Sequence, residues 1–183
     1  MARIDPIPLD QMTAAQRHLY ERFAEAGRGA ATGPWAALLH APRVGEALAE
    51  IVEYSMSETL LPHRLKRLAG LVISRAYTAQ YQWYRNERPA RAAGLDGAII
   101  EAIRKRARPA FRDPSEAIVY DIASEIAYAR ALSDDLYARA IDALGEAVVI
   151  ELVTLIAFYV AIAVLLVSND VEAPDGAAPP LDP

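Results

Sequence analysis

The chain holds three imidazoles, His18, His40 and His63, too scattered to share the ligand spacing of a metal site. It has no cysteine, which removes disulfides, thiolate nucleophiles and thiolate metal ligands together. No metal site is therefore expected, and proton transfer falls to carboxylates and phenols. Asp121 and Glu125 lie one turn apart on a predicted helix whose Ile118, Ile122 and Ile126 face inward, the pattern of a surface carboxylate ladder. Glu151 heads an apolar helix, where the helix dipole accounts for it. Glu58 precedes the proline that opens the next helix and reads equally well as exposed. Tyr77, Tyr81, Trp83 and Tyr84 crowd one segment, as aromatics do in helix packing or a subunit interface. Arg104, Lys105, Arg106 and Arg108 read as a solvated helix end, and the net charge of −5 argues against a nucleic-acid partner.

These groups have to be positioned by helices. Strand alternation is absent, and helix punctuation recurs along the chain. Thr13 and Gln16 form a capping-box pair, and Gly27 stops the stretch they open. Residues 27–33 read as a small-residue loop before a short apolar turn from Trp35 to His40, which Pro42 ends. Arg43 to Ser57 reads as helix. Pro62 suits a first helical turn, after which Leu65, Leu68, Ala69, Val72 and Ala76 form an apolar stripe with Arg64, Lys66, Arg67 and Arg75 off it. Ala79 to Ala93 continues as helix, with Gly94 as its stop. Asp96, Asp113 and Ser133 are further N-caps, and Gly145 separates the last two helices. The expected fold is all-α, a single-domain bundle of seven or eight helices over residues 1–171, followed by a disordered tail over 172–183, whose prolines and small residues offer nothing to pack.

The composition is 54% hydrophobic, a surplus that suggests subunit interfaces. Leu152 to Val167 is uncharged but falls short of the ~20 residues of a spanning helix, so a buried or interface helix is expected rather than a membrane segment. No signal-peptide pattern opens the chain, and a cytoplasmic location is expected.

Several stretches, taken in order, carry a resemblance. They are Gly33-Pro-Trp-Ala-Ala-Leu-Leu-His-Ala-Pro42, Leu61-Pro-His-Arg-Leu65, Ala79-Gln-Tyr-Gln-Trp-Tyr-Arg-Asn-Glu87 running into Ala90-Arg-Ala-Ala-Gly-Leu95, Asp113-Pro-Ser-Glu-Ala-Ile-Val-Tyr120, Leu132-Ser-Asp134 and Glu151-Leu-Val153. Together they resemble the carboxymuconolactone decarboxylase family, within the AhpD-like superfamily, from about Gly33 to Asn169. The resemblance implies an AhpD-like helical bundle assembled as a homotrimer or homohexamer. It also implies a cofactor-free lyase or isomerase acting on a small carboxylated ring or lactone from aromatic catabolism.

The peroxidase branch of that superfamily uses Glu, eleven residues, Cys, two residues, Cys, three residues, His. Aligned here, those positions hold Arg67, Ala79, Gln82 and Asn86, so thiol peroxidase chemistry is excluded. The decarboxylase-like branch sets an acid and an imidazole one turn apart, on one helical face, for proton transfer. Gln82 and Asn86 stand there, amides that hydrogen-bond but do not titrate near neutral pH. In one reading Gln82, Asn86 and Tyr81 are the catalytic group, with Arg67, Trp83 and Tyr159 binding a small-molecule carboxylate. In the other, these residues are satisfied packing or surface groups, Arg67 joins Arg64 and Arg75 on a wet face, and the chain is a catalytically inactive family member acting as a metabolite-binding or structural oligomer.

Overall fold

The computed structural model describes residues 3–25, 32–56, 59–174, 177 and 179–182. Those residues form nine α-helices and one 3-10 turn, with no strand, so the chain is all-α and has slightly more helices than the seven or eight expected. The order is α1 (Ala14–Glu25), α2 (Pro34–Leu39), α3 (Pro42–Met56), α4 (His63–Ala76), α5 (Gln80–Ala92), α6 (Gly97–Arg104), α7 (Pro114–Ala129), α8 (Asp134–Leu144) and α9 (Glu146–Ser168). Residues 27–31 of the loop expected at 27–33, and the candidate acid Glu58, lie outside the described residues.

Local capping chemistry sets most of the boundaries. The Thr13–Gln16 box forms reciprocally, with the Gln16 amide donating to Thr13 Oγ1 at 3.3 Å and the Thr13 amide to Gln16 Oε1 at 2.9 Å. Asp96 and Asp113 each accept a backbone N–H two residues on, from Ala98 and Ser115, at 2.8 Å. Ser133 differs: its side chain makes no cap bond and donates instead to Glu125 at 3.2 Å. Gly145 takes φ +84°, a conformation that suits glycine, and so lets α8 end and α9 begin at one residue. Pro42 starts α3 rather than merely ending α2, because a proline at a helix's first position lacks only an N–H that would go unpaired there.

The bundle is organised round α4, which packs against α5, α6, α7 and α9. Leu68, Leu71 and Ile73 of α4 are fully buried with Trp83, Ile100, Ile122, Leu152 and Ile156 from its neighbours. A smaller core under α1 to α3 is made by Met12, Leu19, Phe23, Leu38, Leu39 and Ala49. A helix surrounded in this way keeps little solvent exposure beyond its first turn. Lys66 and Arg75, expected to lie off the buried stripe, are each only 4% exposed. Their charged heads are satisfied by backbone carbonyls near the C-terminal ends of adjacent helices. Lys66 Nζ donates to Ser55 O at 2.7 Å, and Arg75 Nε donates to Arg104 O at 2.8 Å. A cation is favourable there because the last carbonyls of a helix lack intrahelical donors.

Two further segments depart from expectation. Helix α9 has 23 residues and its most apolar window has mean hydropathy 2.7, so by length and composition it is apolar enough to cross a membrane. It packs against α2, α4, α5, α7 and α8, yet only 33% of its most apolar window is buried within the chain, and Ile150, Val164 and Val167 are exposed. The C-terminal tail is anchored where it is described, rather than disordered. Leu181 is 2% exposed and joins the main core. Gln80 grips its backbone from both sides, donating to Leu181 O at 2.8 Å and accepting from Leu181 N at 2.9 Å. One apolar side chain among prolines suffices when a glutamine satisfies both of its peptide groups.

Candidate active site

A cavity of about 970 Å³ opens between α4, α5 and α9, with α2 and α3 along one edge. Its apolar wall includes Trp35, Val52, Phe158 and Ile162. Five of the six candidate residues line it: Arg67, Tyr81, Gln82, Asn86 and Tyr159. Trp83 does not. It sits on another face of α5, fully buried, with Nε1 donating to Glu87 Oε2 at 2.8 Å and the Arg104 guanidinium 4.9 Å from its ring centre. Spacing explains the split, since residues 82 and 86 share a helical face and residue 83 is turned about 100° from 82.

Backbone geometry lets the side chains approach closely. Gly33, at φ +62°, lies so near the Tyr81 ring that a Cβ there would stand 2.2 Å from Tyr81 Cζ. Thr32 Oγ1 is 3.3 Å from the Tyr81 hydroxyl, so the chain entering α2 fixes this phenol at two points. Gly70 performs a similar service on α4, where an added Cβ would stand 3.1 Å from Asn86 Oδ1 and 3.2 Å from Tyr159 Cζ.

A polar relay runs across the three helices. Arg67 Nη1 donates to Asn86 Oδ1 at 3.0 Å, Asn86 Nδ2 donates to Gln82 O at 2.8 Å, and Gln82 Nε2 donates to Tyr159 O at 3.1 Å. Gln82 Oε1 is buried and has no donor among the described residues. Burial pushes the Tyr159 phenol above its ordinary value, with Arg67 opposing, so it remains a protonated donor at neutral pH.

Ionisable groups join this relay in the wall. Lys66 is 4% exposed, with Nζ donating to Ser55 O and, at 2.8 Å, to Thr59 Oγ1. Burial lowers its pKa; Glu151 opposes that shift and Arg67 adds to it. His63 is lowered as well, first by Lys66, then by burial and Arg67, which favours the neutral imidazole at pH 7. Glu87 is the wall's carboxylate. Burial pushes it up, but Arg104, Arg91 and Trp83 all donate to it and hold it below the usual range. Among the described residues, the basic wall residues Lys66, Arg67, Arg85, Arg88 and Arg91 face one acid, Glu87, which Arg91 and Arg104 already pair, in a chain whose net charge is −5. The cavity is a cationic spot on an acidic protein, suited to an anion.

The chain matches no protein-family model, and no curated protein or solved structure matches it either.

The remaining sequence candidates lie elsewhere. Asp121 pairs with Arg108 and Glu125 accepts from the Ser133 hydroxyl, so that ladder is committed to an ion pair and a side-chain hydrogen bond. Glu151 does not act as a helix-start acid. It sits a turn and a half into α9 and holds the approach to α4, accepting from Tyr54 Oη at 2.9 Å and from the amides of Leu60 and Leu61 at 3.0 and 3.2 Å. Arg67 does not share a wet face with Arg64 and Arg75: Arg64 pairs with Asp113, and Arg75 is buried. Lys66 is the group that residue spacing did not single out. A signal was present, since Lys66 and Lys105 are the only lysines among 19 Lys and Arg residues.

Proposed function

We propose that the chain is a carboxymuconolactone decarboxylase-like, cofactor-free enzyme, a lyase or isomerase acting on a small carboxylated ring or lactone in the cavity between α4, α5 and α9. The observation that carries this reading is convergence. Arg67, Gln82 with Asn86, and Tyr159 come from three helices and meet in one cavity that also holds the ionisable groups Lys66 and His63. The cationic wall attracts the substrate carboxylate, with Arg67 its nearest bidentate partner in chemical type. Gln82 and Asn86 orient the ring, Gln82 Oε1 being an acceptor still to be matched. Tyr81, fixed beneath Gly33, serves as the proton-moving phenol.

A second reading, an inactive member that binds a metabolite, is favoured by the relay itself. Asn86 and Gln82 each give an amide N–H to a backbone carbonyl, as satisfied packing groups do. The two readings part on one experiment. Purified protein is given carboxymuconolactone, CO2 release is followed, and binding is measured by calorimetry. The enzyme reading expects CO2 release that falls at least tenfold in Arg67→Met; binding without CO2 release selects the second reading.

In either reading the apolar surface of α9 is covered by further copies, as a cytoplasmic homotrimer or homohexamer. Light scattering on the eluting protein should give a multiple of the 20.0 kDa chain mass, and a monomer would contradict this.

A further inference from the structure

We infer that Lys66 is an imine-forming nucleophile and that the cavity takes 3-oxo carboxylates, acids whose carboxylate is β to a ketone. The inference rests on the reading of the cavity as a carboxylate-binding site and extends its substrate class to acids that carry a ketone.

The setting of the amine is unusual for a lysine. Lys66 is buried in the cavity wall, and among the described residues no carboxylate lies within ion-pair distance of it. Two protein acceptors, Ser55 O and Thr59 Oγ1, engage Nζ. An ammonium has three hydrogens to place, whereas a neutral amine places two and keeps a lone pair. Two acceptors leave the third position of Nζ without a protein partner among the described residues, so that loss of one proton there exposes a lone pair. Glu151, the acid whose charge acts on Lys66, is itself engaged by Tyr54 and by the amides of Leu60 and Leu61. A buried lysine beside another cation is the setting in which a lysine becomes nucleophilic near neutral pH.

Residue type points the same way. At the other end of α4, Arg75 performs the same structural task, giving a hydrogen bond to a carbonyl at a helix end. The chain uses arginine almost everywhere, and lysine at only two positions. Arginine holds a carbonyl as well as lysine does, but it does not shed its proton in a protein. Lysine at position 66 supplies what arginine lacks, a nitrogen that can give up its proton and become a nucleophile.

The reaction balances. The Nζ lone pair adds to the ketone carbon, the carbonyl oxygen departs as water, and a protonated imine forms. The bond from the α-carbon to the carboxylate breaks, its electron pair moves toward the iminium nitrogen, and CO2 leaves an enamine. The enamine carbon takes one proton, and water returning to the imine carbon releases the ketone and restores Lys66. Overall, a 3-oxo carboxylate and a proton become a ketone and CO2, and the water lost on entry is regained on exit. The basic wall holds the carboxylate, and the proton is assigned to Tyr81, which lines the same cavity.

The test uses the full chain with acetoacetate as probe and borohydride as trap, followed by intact mass and peptide mapping. The expected product is an isopropylamine on Lys66, formed when reduction catches the imine after CO2 loss. Lys105 and the N-terminal amine serve as internal controls and should stay unmodified. Equal labelling of Lys105, or no adduct, overturns the proposal. Calorimetry with acetoacetate distinguishes two kinds of failure: binding without an adduct removes the imine and leaves the anion cavity, while absence of both removes the two readings together. The mapping is done on the wild-type chain, so its outcome does not depend on any variant folding.

Discussion

The two ends of α4 solve one problem with different residues. Each buries a cation against a carbonyl near the end of a neighbouring helix, Lys66 on Ser55 and Arg75 on Arg104. Around Arg75 the molecule is sealed. Arg104 donates onward to Pro180 O, Gln80 grips Leu181, and Leu181 fills the core. Around Lys66 the wall borders a cavity of about 970 Å³. The same electrostatic device is structural where the surroundings close over it, and becomes a candidate for chemistry where they leave room for a ligand. Burial of a charge thus says little about function until the space beside it is known.

The largest expected effect separates the two ends outright. Lys66→Arg should keep the contact to Ser55 O and abolish the borohydride-trapped adduct, while Arg75→Met should leave the adduct unchanged. Trapping measured in both variants makes the comparison, and an adduct surviving Lys66→Arg would break it. In the wild-type chain the trapping rate should rise with pH and level off below the range of an ordinary lysine. Burial and Arg67 favour the amine, and Glu151 only partly opposes them.

Stability effects come next. Leu181→Ala should lower unfolding free energy by about 2–4 kcal/mol in a urea titration, the usual range for emptying a buried leucine site. Trapping at Lys66 should not change; a loss below about 0.5 kcal/mol would mean that the tail does not seal this end. Arg75→Met should cost about 1.5–3 kcal/mol, the usual contribution of a charged hydrogen bond to a buried carbonyl, read from the same titration.

The smallest effect concerns Glu87, which links the cavity wall to the sealed end through Arg104. Its carboxyl is held below the ordinary value of 4.5. The folded state therefore binds its proton less readily than the unfolded chain, so Glu87's contribution is complete above the unfolded pKa and is lost as pH falls through the lower folded value. Glu87→Gln should lower stability by about 1 kcal/mol or less near pH 7. The gap between wild type and variant should shrink below about pH 4.5; a gap that widened in acid would contradict the assignment.

Much of the helical framework was legible because its determinants are local. The Thr13–Gln16 box, the caps at Asp96 and Asp113, and the glycine at 145 act within a few residues of themselves. The placing of Gln82 and Asn86 on one face of α5 followed from helical period, and the resemblance directed attention to Arg67, Tyr81 and Tyr159. The same reasoning failed for Trp83, although residue 83 lies between two cavity residues, because the choice between cavity and core depends on what packs on each face. It failed for Leu181 too, because the partner that holds the tail, Gln80, lies 101 residues away.

The sequence alone therefore determined the helices, the absence of thiol chemistry and the amides at positions 82 and 86, since each depends on residue type and short-range geometry. Only the tertiary structure decided that four helices pack round α4, that its two buried basic side chains rest on the ends of α3 and α6, and that one of them borders an open cavity. The physical reason is that a residue's surroundings are supplied by helices distant in the chain. Solvation, and with it whether a lysine is a surface charge or a buried amine, is a property of that assembly rather than of the residue's neighbours in sequence.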